Sequence, residues 1–246
     1  MSPVKASPTA RERARAELTR EIKEEARREL AETGAQGLSL RAVARELGMV
    51  SSALYRYFPS RDDLLTALII DAYDAMGEVA ESAIAAGARP RVRWLAACHA
   101  IRGWALAHPH EYALIYGSPV PGYRAPQATI GPATRVPLAF MRVLRDAVAS
   151  GDMPAGDDGA DDSTAAGPRL GGALADQAAA IAAALVAVPG LPSVPPEVVV
   201  RGVIAWTQLF GMISFELFGQ FVGSFDPADA LFEYAVAQLA AFVGLG

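Results

Sequence analysis

The chain has 246 residues but only one cysteine and three histidines. With nothing inside the chain to pair with, Cys98 excludes an internal disulfide and a multi-cysteine zinc site, and it fits a reducing cytoplasm. His99, His108 and His110 form no cluster with Asp or Glu at metal-ligand spacing, so neither a metal nor a cofactor is expected. Also missing are a Gly-x-Ser-x-Gly elbow and a Gly-x-Gly-x-x-Gly turn, the scaffolds of serine hydrolysis and dinucleotide binding. The expectation is therefore not an enzyme. No apolar run follows Met1-Ser2-Pro3, so no secretory signal is expected. Gly202–Phe225 is long enough to span a bilayer. It is interrupted by Gln208, Glu216 and Gln220 and lacks flanking clusters of Lys or Arg, so burial in a core and a subunit interface is expected instead of a membrane.

What is abundant points to helix. Apolar residues make up 52% of the chain and charged residues 20%, enough to bury a substantial core. Alanine is plentiful and β-branched runs are few, which lowers the cost of helix. The net charge of −5 is unevenly spread. Residues 1–65 carry 12 basic and 10 acidic side chains, residues 66–246 carry 10 and 17. A slightly basic head on an acidic body suits a modular DNA binder, in which only the docking face must attract phosphate.

Along the chain, Ala14, Leu18, Ile22, Ala26 and Leu30 recur every fourth residue and predict a helix over about Arg11–Glu32, ended by Gly34 and Gly37. Short helical segments follow at Leu40–Leu47 and Ser52–Phe58, then a long one from Arg61 to about Ala86. Ser39, Ser51 and Ser60 precede these segments as candidate caps. Further helices are expected at Pro90–His108, Pro109–Tyr116, Thr134–Ser150, Ala173–Val188, Pro196–Gly219 and Pro227–Gly244. Loops are expected at 117–132 and 151–171.

The segment Ser39–Phe58 has the mechanics of a helix-turn-helix. Leu40, Val43 and Leu47 make one apolar stripe, and Leu54 with Phe58 the facing one. Ala44 is small where two helices cross. Gly48 falls where the chain leaves the first helix and a left-handed backbone favours glycine. Val50 is expected to plug the turn. The second helix would then read the major groove.

Leu54-Tyr55-Arg56-Tyr57-Phe58-Pro59-Ser60-Arg61-Asp62-Asp63-Leu64-Leu65 resembles the helix 3–helix 4 signature of the TetR (tetracycline repressor-like) family. Ala205-Trp206-Thr207-Gln208-Leu209-Phe210-Gly211 is similar to the Trp…Gly motif of a subgroup's C-terminal domain (WHG-like). The resemblance implies an all-α fold: a three-helix helix-turn-helix domain at 1–70, and a larger helical ligand-sensing and dimerisation domain at 71–246. It also implies a cytoplasmic regulator, most simply a repressor, that binds a pseudo-palindromic double-stranded DNA operator as a homodimer through its last two helices. A small-molecule effector would release it. A helix-turn-helix protein without ligand sensing is the alternative.

By the same resemblance Ser51, Ser52 and Tyr55 face the groove, Tyr57 contacts the DNA backbone, and Arg61 contacts phosphate. Ser39 and Arg41 would meet phosphate at a helix N-terminus. Arg56 has three open roles: a guanine edge, a phosphate, or solvation. Tyr55 and Tyr57 could instead pack on the first helix.

For the effector the candidates are Trp94, Trp104, Tyr112, Tyr116, Tyr123, Phe140, Met141 and Trp206, with Arg102 and His99 as polar anchors. Each has a competing role as core filler. Together they suit a hydrophobic or aromatic ligand.

On the helix at Pro196–Gly219, Val199, Val203, Trp206, Phe210, Ile213 and Leu217 form one stripe, expected to pack inward. Ile204, Gly211, Phe215 and Phe218 form a second, expected to meet its twin across a two-fold axis.

Overall fold

The computed structural model describes residues 9–84, 87–153, 170–188 and 194–246. Among them are ten α-helices, one short 3₁₀ turn (Gln127–Thr129) and no strand. The helices are α1 (Ala10–Gly37), α2 (Leu40–Glu46), α3 (Ser51–Leu54), α4 (Arg61–Ile84), α5 (Pro90–Ala107), α6 (Pro109–Tyr116), α7 (Ile130–Ser150), α8 (Gly172–Val186), α9 (Pro196–Leu217) and α10 (Asp229–Phe242). The expected α4 end at Ala86 and most of the expected 151–171 loop lie outside the described residues.

Local chemistry sets the helix starts. Thr9 and Glu12 form a reciprocal capping box: the Glu12 amide donates to Thr9 Oγ1 at 3.2 Å and the Thr9 amide to Glu12 Oε2 at 2.7 Å. Ser39 accepts from the Ala42 amide at 3.4 Å, and Ser60 from the Asp63 amide at 3.1 Å, as caps should. Ser51 does not cap. The helix starts one residue earlier than expected, so Val50 is the N-cap, with an extended backbone and no side-chain cap bond. Gly34, at φ 71°, breaks the regular course of α1. In α7, a helical start at Ile130 precedes the expected Thr134.

The chain divides into two compact units. The first comprises residues 1–73 and 108–130, the second 74–107 and 131–246. The sequence boundary at 70/71 thus falls inside α4, near the division, while α6 and the loop after it join the first unit. The reason is packing. Leu114, Ile115, Val120 and Tyr123 lie against the core built from Ile22, Ala26, Val43, Leu54, Leu65 and Leu68, and the hydroxyls of Thr66 and Tyr123 are 2.9 Å apart. Lys23 and Arg27 of α1 share Asp71 of α4 at 2.7 and 2.6 Å.

The second unit is tied by arginines. From α7, Arg135 reaches Asp74 and Glu81 of α4 at 2.9 and 2.6 Å. Arg93 of α5 pairs with Asp146 at 2.8 Å and donates to the Ile84 carbonyl at 2.7 Å, satisfying an acceptor at the end of α4. Arg102 of α5 takes Glu216 of α9 at 2.6 Å and Asp229 of α10 at 3.0 Å.

Helix α9 is long and apolar enough to cross a membrane by length and composition. Here it packs on α5, α8 and α10. Its buried arc runs through Val198, Gly202, Ala205, Leu209 and Ile213. Val199, Phe210 and Ile213 of the expected stripe are buried with that arc, whereas Val203 is exposed instead of packed inward. Ile204, Gly211, Phe215 and Phe218, the expected second stripe, are all exposed in the single chain.

Candidate nucleic-acid interface and sensor core

The helix-turn-helix stands on a finished core. Leu40, Val43, Ala44, Leu54 and Phe58 are buried, and α2 packs against both α1 and α3. Gly48 has φ 64°, the left-handed turn inferred for it. The Gly48 amide donates to the Arg45 carbonyl at 3.0 Å and the Met49 amide to the Ala44 carbonyl at 2.8 Å, a pattern that ends α2 cleanly. Val50 does not plug the turn. It is 70% exposed, and the neighbouring Met49 packs against the core instead.

With Leu54 pointing inward, Ser52, Tyr55 and Arg56 are left exposed and Ser51 half-buried. Tyr57 behaves differently. It is half-buried beneath α1, with the Arg15 guanidinium 5.1 Å from its ring centre. Packing on the first helix, one of the two roles open to this tyrosine, is the arrangement seen. Arg41 is exposed on the first turn of α2, two residues after the Ser39 cap.

Arg61 turns inward. Its guanidinium donates to the carbonyls of Leu38, Ala35 and Gln36 at 3.0, 2.6 and 3.3 Å. It therefore gathers the acceptors left open where α1 runs out. From the other side of that junction, Glu29 Oε1 accepts the Ser39 amide at 3.1 Å. Burial raises the Glu29 carboxyl above its ordinary pKa. Sequence reasoning missed this clamp because its acceptors are backbone carbonyls, which carry no residue signature.

The effector candidates are divided between the units. Tyr112, Tyr116 and Tyr123 are in the first, where Tyr116 packs against Tyr73 and Tyr112 with ring centres 6.2 and 5.3 Å apart. Burial raises the Tyr116 hydroxyl well above its ordinary pKa. Trp94, His99, Arg102, Trp104, Phe140, Met141 and Trp206 belong to the second. Trp94 packs on Phe140 at 4.6 Å. A Cβ placed on Gly202 would stand 2.3 Å from the Met141 methyl, so α7 and α9 approach closely only because that residue is glycine. The intended polar anchors are both engaged within the unit: Arg102 in its carboxylate pairs and His99 with Glu233 at 3.4 Å. Among the described residues, the buried side-chain polar atoms lacking a hydrogen-bond partner are Glu29 Oε2 and the indole nitrogens of Trp94 and Trp206.

Two family models match the chain. "Bacterial regulatory proteins, tetR family" covers residues 22–68, and "Tetracyclin repressor-like, C-terminal domain" covers residues 94–239. The chain belongs to the TetR family. Its relatives include the HTH-type transcriptional regulators Rv1816 of Mycobacterium tuberculosis and Mb1846 of Mycobacterium bovis. Each is 40% identical over 237 residues, covering 92% of this chain and 94% of the relative. Among solved structures, the regulatory protein SCO4313 is 37% identical with a TM-score of 0.70, covering 95% of this chain and all of that one. A protein from Rhodococcus sp. RHA1 shares the fold at 22% identity and a TM-score of 0.64, over 99% of this chain and 97% of its own. This TetR-family chain is accordingly a DNA-binding transcriptional regulator and not an enzyme, with the all-α architecture of an N-terminal helix-turn-helix and a C-terminal helical domain.

Proposed function

We propose that this regulator is a cytoplasmic repressor. As a homodimer it holds a pseudo-palindromic operator, and a small apolar or aromatic effector releases it. The observation that carries the DNA half is the exposed edge of Ser52, Tyr55 and Arg56 above a fully buried Leu54, a rigid reading surface of the kind that enters a major groove. In this reading Ser51, Ser52 and Tyr55 meet base edges, Arg56 meets a guanine edge or phosphate, and Ser39 and Arg41 meet phosphate at the start of α2. We assign Tyr57 and Arg61 to hold the reading head together rather than to touch DNA.

Dimerisation is supported by the apolar side chains left exposed on the last two helices: Ile204 and Phe215 on α9, Tyr234 and Phe242 on α10. A four-helix bundle with a second copy would cover them. The sensing half is supported by the apolar second unit. A TetR from Acinetobacter baumannii, 18% identical, was crystallised with minocycline, which illustrates a ligand in a protein of this fold.

The test is selection of an operator from random duplexes, followed by fluorescence anisotropy against salt. A selected site with two half-sites, and log affinity falling steeply with log salt, is expected. Equal affinity for every duplex would refute the proposal.

A further inference from the structure

Trp94 and Trp206, both in the second unit, stand at similar distances along their helices from one ion pair that joins α5 and α9. Arg102 of α5 meets Glu216 of α9. Eight residues back along α5 is Trp94, and ten residues back along α9 is Trp206, about 12 and 15 Å of helix. The two lengths differ by about 3 Å, and α5 and α9 are in contact. A second link agrees: Trp94 packs on Phe140, and the next residue, Met141, lies over Gly202, one turn before Trp206. Both indole nitrogens are buried and neither has a hydrogen-bond partner. Buried donors are normally paired, and each exception requires an explanation.

The surroundings restrict what could pair with them. Among the described residues the buried polar or charged side chains are Glu25 and Thr129, both in the first unit. The described core of the second unit thus offers a ligand no buried counter-ion, and an unpaired charge cannot be buried cheaply. Arg93, Arg102 and Arg135, the arginines that bridge its helices, already hold carboxylates. An indole N–H can only donate, so the missing partner is an acceptor.

We infer that the core between α5, α7 and α9 binds an uncharged, mainly apolar molecule whose acceptor oxygen, a ketone, ester or lactone carbonyl, takes the indole N–H of Trp94, Trp206 or both. This deepens the sensing reading and rests on it. Trp94 is only 1% exposed, so the ligand reaches it when a neighbouring side chain moves. Met141 is suited to yield, because an unbranched thioether has three soft torsions and repacks easily.

The test uses the whole protein and two sets of probes. One set is acetophenone, benzoate, benzylammonium and ethylbenzene; the other carries the same four head groups on a nine-carbon chain. Binding is followed by tryptophan fluorescence and thermal shift, with operator anisotropy in parallel. The ketone of at least one set should bind about tenfold tighter than its hydrocarbon, while the acid and amine bind no better than the hydrocarbon. The preference should disappear in the Trp94→Phe, Trp206→Phe double variant. Carboxylate or ammonium probes binding as well as ketones would overturn the inference, as would a ketone preference that survives both substitutions. So would failure of all eight probes to bind. The head-group comparison on the unaltered protein stands even if a variant misfolds. Ketone binding that leaves operator affinity unchanged would sink the sensing reading alone and leave this site standing.

Discussion

The two units of this regulator display their chemistry in opposite ways. In the first, the side chains proposed to meet DNA stand outside a completed core: Ser52, Tyr55 and Arg56 are exposed, while Leu54 beneath them is fully buried. In the second, the side chains proposed to meet an effector are the core: Trp94, Phe140 and Met141 are each at most 7% exposed. A reading head of the first kind can dock as a rigid body. A sensor of the second kind must rearrange to bind, and that rearrangement is what a ligand could exploit to shift a conformational equilibrium, typically by 1–3 kcal/mol of coupling.

The strongest way to break this contrast is at the exposed stripe of α9. Phe215→Glu should convert the dimer to a monomer by light scattering at micromolar concentration. Losing the second half-site should weaken operator binding by more than about a hundredfold. A dimer that persists would remove α9 from the interface. Next in size, Tyr55→Ala should cost about 1–3 kcal/mol of specific affinity with helicity by circular dichroism unchanged. Loss of fold would instead show that Tyr55 packs.

Arg61→Ala sharpens the comparison inside the first unit. Removing charged hydrogen bonds to three carbonyls should lower stability by about 1–2 kcal/mol, discounted for partial exposure. The slope of log affinity against log salt should stay the same. A phosphate contact would instead reduce its magnitude by about 0.9, and that drop would return Arg61 to the DNA interface. In the second unit, Trp206→Ala should leave operator affinity within about twofold, a few tenths of a kcal/mol, because the substitution touches no DNA-facing group. A larger loss would show that the sensor core shapes the reading head without any ligand.

The smallest effect is electrostatic. Arg135 holds the Glu81 carboxyl below its ordinary pKa, chiefly by hydrogen bonding. A depressed carboxyl contributes stability above its unfolded pKa, near 4.5, and loses it as pH falls through the folded value. Glu81 is one-third exposed, so the contribution is under about 1 kcal/mol. In thermal melts below about pH 4.5, Glu81→Gln should flatten the acid loss of Tm slightly. An unchanged acid limb would show that the pair contributes nothing.

Much of the first unit was legible in order. Glycine at Gly48, small Ala44, the caps Ser39 and Ser60 and the Leu40/Val43/Leu54/Phe58 stripe are local signals, each set by backbone geometry within a few residues. Cap register was less legible. Val50 instead of Ser51 stands at the N-cap of α3, and Met49 instead of Val50 packs against the core, because α3 starts one residue earlier than expected. In the second unit the helices were legible and the neighbourhoods were not. Nothing in the sequence says that Tyr112, Tyr116 and Tyr123 pack with the helix-turn-helix unit while Trp94 and Trp206 do not.

From sequence alone came the helical class, the helix-turn-helix and its position, the family, and the apolar surplus on the helix at Pro196–Gly219. The family came from the resemblance of the Leu54–Leu65 motif, and the rest follow from periodicity, local backbone preference or composition, which are properties of neighbouring residues. Tertiary structure decided which unit each aromatic joined, that Arg61 closes the α1–α2 junction, that Arg102 is claimed by Glu216 and Asp229, and that two indole N–H groups are left without partners. These depend on which distant side chains share a small volume. A guanidinium or an indole has the same chemistry wherever it stands, and only the packing around it settles whether it meets a carboxylate, a carbonyl, or nothing.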